Sequence, residues 1–206
     1  YALTIDTLTP ATPLTPNSTI CQLSPAFNWA VVAGETYTIE VSSNTDFAVA
    51  NIVASKSGIT AVPFSFTFDL GNGTYYWHLR STNANCTSAW SGYETFTIDD
   101  IGTPTQLSPV SGDILCIDPP ALTWSNLGAG VTYDVQITES TDPTYASVSA
   151  SATANAGTNW TNAIALGVGN YIWRVRANNG SCVGAWSGDY ALTIDTLTPA
   201  TPLTPN

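Results

Sequence analysis

Charge, and basic charge above all, is scarce in this sequence. Only 9% of the 206 residues are charged, and 15 acidic residues outnumber four basic ones, which are Lys56, Arg80, Arg174 and Arg176. A chain with a formal net charge of −11 repels a phosphate backbone, so we exclude nucleic acid as a partner. The surface must be dominated by Thr, Ser, Asn and Gly, which favours an extracellular or cell-surface location.

Long apolar runs are absent as well. No segment approaches the ~20 apolar residues that a membrane-spanning helix requires, so we expect no membrane span in this sequence. No stretch shows a 3.6-residue apolar period, which predicts essentially no helix. The N-terminal residues do not resemble a signal peptide, as expected if the sequence starts within a longer secreted array.

Residues suited to catalysis or metal binding are equally few. His78 is the only histidine, and the spacing places no partner beside it on the outward face of its predicted strand. Calcium could be bound by Asp99-Asp100 or by the turns at Asp46 and Asp142, but a D-x-D-x-D-G loop is missing. We therefore interpret these carboxylates as solvated turns, and we predict a protein that is not an enzyme and has no cofactor.

Repetition is what the sequence does contain. Residues 1–17 recur without change as residues 190–206, which defines a period of 189 residues. Identity over 17 residues does not arise by chance, so we interpret the chain as one period of a tandem repeat followed by the start of the next. An architectural role is therefore the first functional hypothesis.

A second, weaker repeat divides this period into two modules of about 95 residues each, a usual domain size. The stretch Leu-Gly-x-Gly-x-Tyr-x-Trp-x-x-Arg occurs at residues 70–80 and again at 166–176. The predicted boundaries are a last strand of a preceding module at 1–6, a Pro/Thr-rich joint at 7–17, modules at 18–100 and 101–195, and the start of the next repeat at 196–206.

Both modules are predicted to be all-β. Short runs rich in Thr, Val, Ile and aromatic residues alternate in polarity and are separated by Gly, Pro and Asn. In residues 36–42, Tyr37, Ile39 and Val41 share one face, and the polar residues Thr38, Glu40 and Ser42 share the other. Alternation with one buried face is what a two-sheet sandwich requires.

The order of the motifs resembles a known family. Each module has a Trp strand, a strand with Tyr-x-x-x-Val in the first module and Tyr-x-x-x-Ile in the second, an aspartate turn, the Gly-x-Gly-x-Tyr-x-Trp-x-x-Arg strand and then Ala-Trp-Ser-Gly. This order is similar to that of bacterial extracellular tandem fibronectin type III and immunoglobulin-like repeat proteins of fibre or adhesin type. The resemblance covers both modules nearly end to end and implies two tandem β-sandwiches, a fold that hosts many functions.

Six of the seven tryptophans pair between the two modules. Four of them are predicted core residues, namely Trp29, Trp77, Trp124 and Trp173. The other two, Trp90 and Trp186, begin a motif that resembles the Trp-Ser box of cytokine-receptor fibronectin modules. That resemblance implies a ladder of these rings with Arg80, Arg174 and Arg176, in which each cation–π contact contributes about 0.5–2 kcal/mol.

Four cysteines in such a chain favour an oxidising compartment, and the absence of C-x-x-C spacing disfavours zinc. In this sandwich Cys21 and Cys116 would lie at one pole of their modules, and Cys86 and Cys182 at the other. Bonds within a module would then require slanted or bulged strands. Head-to-tail stacking would instead bring Cys21 toward Cys182, and Cys116 toward Cys86 of the next period. Both schemes stay open.

Glycosylation is a further expectation from the sequence. N-linked acceptor motifs occur at five positions: Asn17, Asn72, Asn85, Asn159 and Asn179. The Thr/Pro-rich joint is typical of O-glycosylated stalks, with candidate sites at Thr7, Thr9, Thr12 and Thr15. Glycans would explain how so weakly charged a surface stays soluble.

Two ways of building a fibre agree with the repeat. In the covalent version, one polypeptide runs through many periods. In the other, residues 1–6 act as a donor strand for a neighbouring module, where Leu3 and Ile5 would fill the pockets of Leu192 and Ile194. We favour the covalent array, in which neighbouring repeats are the main partners.

The function predicted from the sequence is that of a structural subunit of an extracellular bacterial fibre or surface filament. The alternative is a carbohydrate- or surface-binding accessory module of a secreted adhesin or hydrolase. Exposed, coplanar aromatic side chains at Tyr76, Tyr93 or Trp160 would favour this alternative, because sugars stack on flat aromatic surfaces.

Overall fold

Short strands with alternating side chains make up nearly all of the regular structure. The computed structural model describes residues 8–195, and the chain divides into two units, Tyr1–Asp100 and Ile101–Asn206. Each unit is a β-sandwich, which confirms the predicted all-β class and the two tandem immunoglobulin-like, fibronectin type III-like domains. Among the described residues there is no α-helix, and a single 3₁₀ turn spans Val49–Asn51.

The described part of unit 1 contains seven strands. They are β1 Pro13–Thr15, β2 Thr19–Ile20, β3 Asn28–Trp29, β4 Thr36–Ser42, β5 Ile52–Ile59, β6 Gly73–Thr82 and β7 Glu94–Ile98. The larger sheet has the order β2-β7-β6-β4-β5, in which β2 runs parallel to β7 and the other neighbours are antiparallel. The smaller sheet pairs β1 with β3, and Phe64 extends it through a bridge to Phe27.

Unit 2 repeats this arrangement, with eight strands up to residue 195. They are β8 Gln106–Ser108, β9 Asp113–Leu115, β10 Ala121–Trp124, β11 Thr132–Glu139, β12 Ala150–Asn155, β13 Asn159–Thr161, β14 Gly169–Asn178 and β15 Tyr190–Ile194. The two sheets have the orders β12-β11-β14-β15-β9 and β13-β10-β8.

The core of each unit lies between its two sheets, and tryptophan rings form its centre. Trp29 and Trp77 in unit 1, and Trp124 and Trp173 in unit 2, are each at most 2% exposed. The inward residues of the alternating strands surround these rings, as Tyr37, Ile39 and Val41 do on β4. The alternation therefore reports the core correctly, because successive strand residues point to opposite faces.

The polar positions of β4 are less exposed than alternation implies. Thr38 is 9% exposed and Ser42 is fully buried. The Ser42 hydroxyl donates hydrogen bonds to the carbonyl oxygens of Asn44 and Asn51, which belong to the loop after the strand. Part of the outer face is therefore buried, because the loop after β4 covers Ser42.

The first residues of unit 2 pack closely against the segment after β14. A methyl group added to Gly184 would lie 2.7 Å from the carbonyl oxygen of Gly102 and 2.8 Å from Cγ2 of Ile101. The Gly184 amide also donates a hydrogen bond to the Ala177 carbonyl oxygen, which holds this backbone in place.

We expect Gly184→Ala to destabilise unit 2 by about 1–3 kcal/mol, because the new methyl group must displace main-chain atoms. Gly188→Ala is the matched control, since a methyl group there meets open space, and it should change stability by less than about 0.5 kcal/mol. Urea unfolding followed by tryptophan fluorescence measures both variants. Equal stabilities for the two would contradict the described packing.

Candidate functional site

A ladder of stacked side chains covers the outward face of the larger sheet in unit 2. The Arg174 guanidinium lies 3.6 Å from the ring centroid of Tyr145 and 4.6 Å from that of Trp186. Arg176 lies on Trp186 as well, at 4.5 Å. The order along the face is therefore Tyr145, Arg174, Trp186 and Arg176, in which aromatic rings alternate with cations.

Side chains of β11 hold the two arginines of this ladder in position. Gln136 lies opposite Arg174 in the sheet, and its Oε1 accepts hydrogen bonds from Nε at 3.0 Å and from an Nη at 2.7 Å. Asp134 lies opposite Arg176 and forms an ion pair with it at 2.9 Å. Each guanidinium is thus fixed at its edge by a polar group. Arg174 is stacked between two rings and Arg176 lies on one, a geometry that suits arginine.

Unit 1 builds the same ladder with a histidine in place of one arginine. The His78 ring stacks between Phe47, at a centroid distance of 3.7 Å, and Trp90, at 4.1 Å. Arg80 lies 4.6 Å from the Trp90 centroid. Glu40, opposite His78 on β4, forms a hydrogen bond with Nε2 at 3.1 Å.

In each unit, the Trp-Ser segment is held against its sheet by two hydrogen bonds of the serine. In unit 1, the Ser91 amide donates to the Leu79 carbonyl oxygen, and the Ser91 hydroxyl accepts from the Leu79 amide. In unit 2, Ser187 makes the same two bonds with Val175. A side-chain hydroxyl therefore replaces a main-chain carbonyl, and this places the preceding tryptophan over the sheet.

The aspartate turns present the outermost ring of each ladder. Phe47 and Tyr145 both have a positive φ, of 49° and 56°, which is uncommon for residues other than glycine. Asp46 Oδ1 accepts from the Ala48 amide and the Asn51 side chain, and Asp142 accepts from the Ser147 amide and the Thr144 hydroxyl. These bonds hold the pKa of both carboxyl groups below the ordinary value.

The environment of His78 favours its neutral form. Burial lowers the pKa of His78, and the charge of Arg80 lowers it further, while the hydrogen bond and charge of Glu40 act in the opposite direction. The side chain is 7% exposed, so its place on the outward face does not bring it into solvent. Glu40 is a partner that spacing alone did not identify.

Tyr145 is held in place by a second group in addition to Arg174. Its hydroxyl donates a hydrogen bond to Asp189 Oδ1 at 2.8 Å. Burial is the main cause that raises the pKa of Tyr145 far above the ordinary value, and the bond to Asp189 adds to it. The phenol therefore stays protonated at physiological pH and keeps this bond.

The sequence-predicted members Arg80, Trp90, Arg174, Arg176 and Trp186 all lie in the two ladders. The sequence analysis missed the terminal rings of the ladders, Phe47 and Tyr145. One signal could have identified them, because an aromatic residue comes within three positions after each aspartate turn.

The candidates for a flat carbohydrate platform do not form one. Tyr93 is half exposed, but its ring lies at 88° to that of Tyr76, with centroids 5.6 Å apart. Trp160 is only partly exposed and packs against the core of unit 2. A sugar ring needs a coplanar surface, and these three side chains do not offer it.

The cysteines differ in oxidation state. Cys21 and Cys182 are disulfide-bonded, whereas Cys116 is exposed and carries a free thiol. A bond between Cys116 and Cys182 within unit 2 is therefore absent, which removes one of the two intramodule pairs left open by the sequence. Cys86 is partly buried.

The predicted glycosylation sites differ in their surroundings. Asn17, Asn85 and Asn159 are exposed, as are Thr9, Thr12 and Thr15. The Asn72 side chain donates to the Asp100 carbonyl oxygen and accepts from the Asp100 amide. Asn179 Oδ1 accepts hydrogen bonds from the amides of Ser181 and Cys182.

Within residues 8–195, no three His, Cys, Asp or Glu side chains cluster in a way that could hold a metal ion. The described part of the chain also contains no helix able to cross a membrane. The candidate donor-strand residues Leu3 and Ile5, the candidate glycosylation site Thr7 and the predicted repeat start at 196–206 lie outside the described residues.

Comparison with known proteins supports the fold. No protein-family model and no curated protein matches the chain. Among solved structures, it is similar to the FN1–FN3 domains of chicken CNTN1, with a TM-score of 0.51 and 12% identity over 91% of this chain and 67% of that one. At this identity the likeness shows a fibronectin type III-like fold and nothing of the function.

Two further solved structures match with lower scores. The chicken interferon gamma receptor alpha chain gives a TM-score of 0.39 at 11% identity, covering 92% of this chain and 98% of that one. A two-domain fibronectin type III segment of chicken tenascin gives 0.38 at 10% identity, covering 91% and 99%.

We expect unit 1 to lose stability as the pH falls from about 7.5 to 5. The pKa of His78 is lower in the folded state than in the unfolded chain, so the unfolded chain binds the proton first. The stability that neutral His78 contributes is present above the pKa of the unfolded chain. It is lost as the pH falls toward the pKa of the folded state. Differential scanning calorimetry across this range measures the effect.

The matched control is His78→Gln, which removes the only histidine. Its unfolding temperature should vary less over the same range, because carboxyl groups titrate mainly at lower pH. Parallel pH profiles for the two proteins would refute the assignment to His78.

Proposed function

We propose that this chain is a repeat of an extracellular, non-enzymatic structural protein of bacterial type. Fibronectin type III-like sandwiches would succeed one another head to tail in a surface filament or adhesin stalk. Neighbouring repeats would be the principal partners. The proposal uses no cofactor.

One observation carries this proposal, which is the recurrence of residues 1–17 as residues 190–206. Residues 190–194 form β15, the last strand of unit 2, and residues 8–17 begin unit 1. The repeated peptide thus joins the end of one module to the beginning of another. A duplication whose boundary lies between two modules supports an array in which whole modules follow one another.

The proposed mechanism is mechanical. Tryptophan-centred cores stabilise each sandwich from within, and the ladders cover the outward face of the larger sheet. Stacks of this kind stabilise a fold by about 0.5–2 kcal/mol per cation–π contact. A surface with little charge, and glycans on exposed sites such as Asn17, Asn85 and Asn159, would suit dense packing outside the cell.

The arrangement of β15 supports the covalent version over strand exchange. In unit 2, Tyr190–Ile194 pairs with β14 on one side and with β9 on the other. Leu192 and Ile194 are at most 2% exposed, so the chain fills this groove with its own strand. A donor strand with the sequence of residues 1–6 would have to displace an identical strand, without a gain in contacts.

Disulfides would add covalent bracing to the array. The proposed pair is Cys21 with Cys182, the scheme that head-to-tail stacking predicts. Its support is that both residues are disulfide-bonded, while Cys116 is not.

We expect native material to run on a reducing, denaturing gel far above the 21.7 kDa of this sequence, because a covalent array survives denaturation. Electron microscopy of the same material should show filaments with two beads per repeat. A single band near 22 kDa would exclude the covalent array, and isolated globules would exclude a filament of either kind.

We also expect one cross-linked peptide pair after proteolysis without reduction, containing Cys21 and Cys182. Mass spectrometry with and without a reductant identifies it. Cys21→Ser should release the Cys182 thiol for alkylation, and Cys116→Ser, as the control, should leave the pair intact. Recovery of Cys182 joined to any other cysteine would refute the proposed pairing.

A further inference from the structure

One pole of unit 2 has an apolar surface that its fold does not require. We define the C-terminal pole of unit 2 by four side chains, Ile114, Ile117, Ile164 and Val168. Their exposed fractions are 69%, 73%, 75% and 65%. Single exposed apolar residues are common, whereas several at one end of a domain are typical of an interaction surface.

Hydrogen bonds show that these four residues share one pole. The Asp118 carboxylate, next to Ile117, accepts bonds from the amides of Leu166 and Gly167 at 2.8 and 2.7 Å. Ile114 lies on β9, which pairs with β15. A pocket of about 260 Å³ lies beside Val168 and is lined in part by Glu139 and Tyr171.

The chain leaves unit 2 at this pole. The Asp195 amide, directly after β15, donates to the Leu115 carbonyl oxygen at 2.9 Å. Leu115 immediately precedes the exposed Cys116 and is one residue from Ile114. Any segment C-terminal to residue 195 therefore begins beside the apolar surface.

Unit 1 shows that the fold does not need these apolar residues. The strand pairing and the repeated motifs align Ile114, Ile117 and Val168 with Thr19, Gln22 and Asn72. Only Ile164 has an apolar counterpart, which is Phe68. Three of the four positions are thus polar in a module with the same architecture.

In the proposed array, the repeated peptide indicates which module comes after unit 2. Residues 196–206 repeat residues 7–17, and residues 8–17 lead into the strands of unit 1. The next module beside the C-terminal pole of unit 2 would therefore be a copy of unit 1.

The N-terminal pole of unit 1 offers a matching apolar surface. Val31 and Val32 are 44% and 54% exposed. Pro13 pairs with Trp29 in an antiparallel register, so the residues after Trp29 run alongside those before Pro13. The two valines thus lie where the chain enters unit 1.

We propose that the C-terminal pole of unit 2 docks the loop carrying Val31 and Val32 of the unit 1 copy that starts the next period. This inference rests on the proposed tandem array and names the surface by which one period contacts the next. Apolar side chains on both sides leave water together, which favours a fixed joint over a loose linker.

Cys116 provides the readout, because its exposed thiol lies within this pole. The experiment compares the 206-residue chain with a two-period chain, in which a second copy of residues 7–195 is joined directly after residue 195. Both chains carry Cys86→Ser, so that a disulfide to Cys86 of the next period cannot mimic protection, and N-ethylmaleimide alkylation of Cys116 is analysed by peptide mass spectrometry under non-reducing conditions. In the two-period chain, half of the Cys116 thiols should react at about one tenth of the rate or even more slowly, because an interface must open before the thiol is reached.

Two variants of the two-period chain make the test specific. Ile117→Gln with Val168→Asn introduces the residues of unit 1 and should restore fast alkylation of all Cys116 thiols. Leu107→Thr changes a similarly exposed residue on β8 and should leave the slow half unchanged. Circular dichroism melting of the 206-residue chain with each change checks that folding is unaffected.

Two results would overturn the inference. Equal, fast alkylation of all Cys116 thiols in the two-period chain shows that the pole stays open. Protection in the 206-residue chain that grows with concentration shows that another copy of unit 2, or a lateral neighbour, occupies the pole. Because the two periods are joined by design, these results do not depend on the repeat number of the native protein, which the denaturing gel tests separately.

Discussion

The stacking of side chains on the outward face of the larger sheet is the interaction on which the rest of the structure depends. A sheet that packs its inner face against tryptophans still has an outer face, and here rings and cations cover it. Arg174 between Tyr145 and Trp186, and His78 between Phe47 and Trp90, fix the loop and the Trp-Ser segment on either side. Each unit thus has a layer of packed side chains on the outward face of its larger sheet, in addition to the core between its two sheets.

This covering limits what the protein can bind. The most aromatic surface of each unit is already occupied by its own side chains, so little flat ring area remains for a ligand. The polar partners of the ladder also face inward, as Gln136 and Asp134 do toward their arginines. The ladders contain the residue types of a binding platform, but their rings and cations pack against one another.

The sequence predicts the local alternation of a strand better than it predicts contacts between residues far apart in the chain. Alternation on β4 predicts Tyr37, Ile39 and Val41 as core residues, because it depends only on neighbours in the chain, and the structure confirms the fold built on it. The place of Phe47 on His78 depends on a loop with a positive φ that returns to a strand far along the chain. The burial of Ser42 depends on the same loop, and no pattern within the strand contains that information.

The parallel pairing of β9 with β15, and of β2 with β7, has a consequence for a chain under tension. The earlier strand of each pair leads back to the beginning of the unit, and the later one leads out of it. Pulling the two ends apart slides the paired strands past each other, so all their hydrogen bonds bear load at once. Peeling two strands apart one hydrogen bond at a time needs much less force, and the parallel pairing prevents this mode of separation.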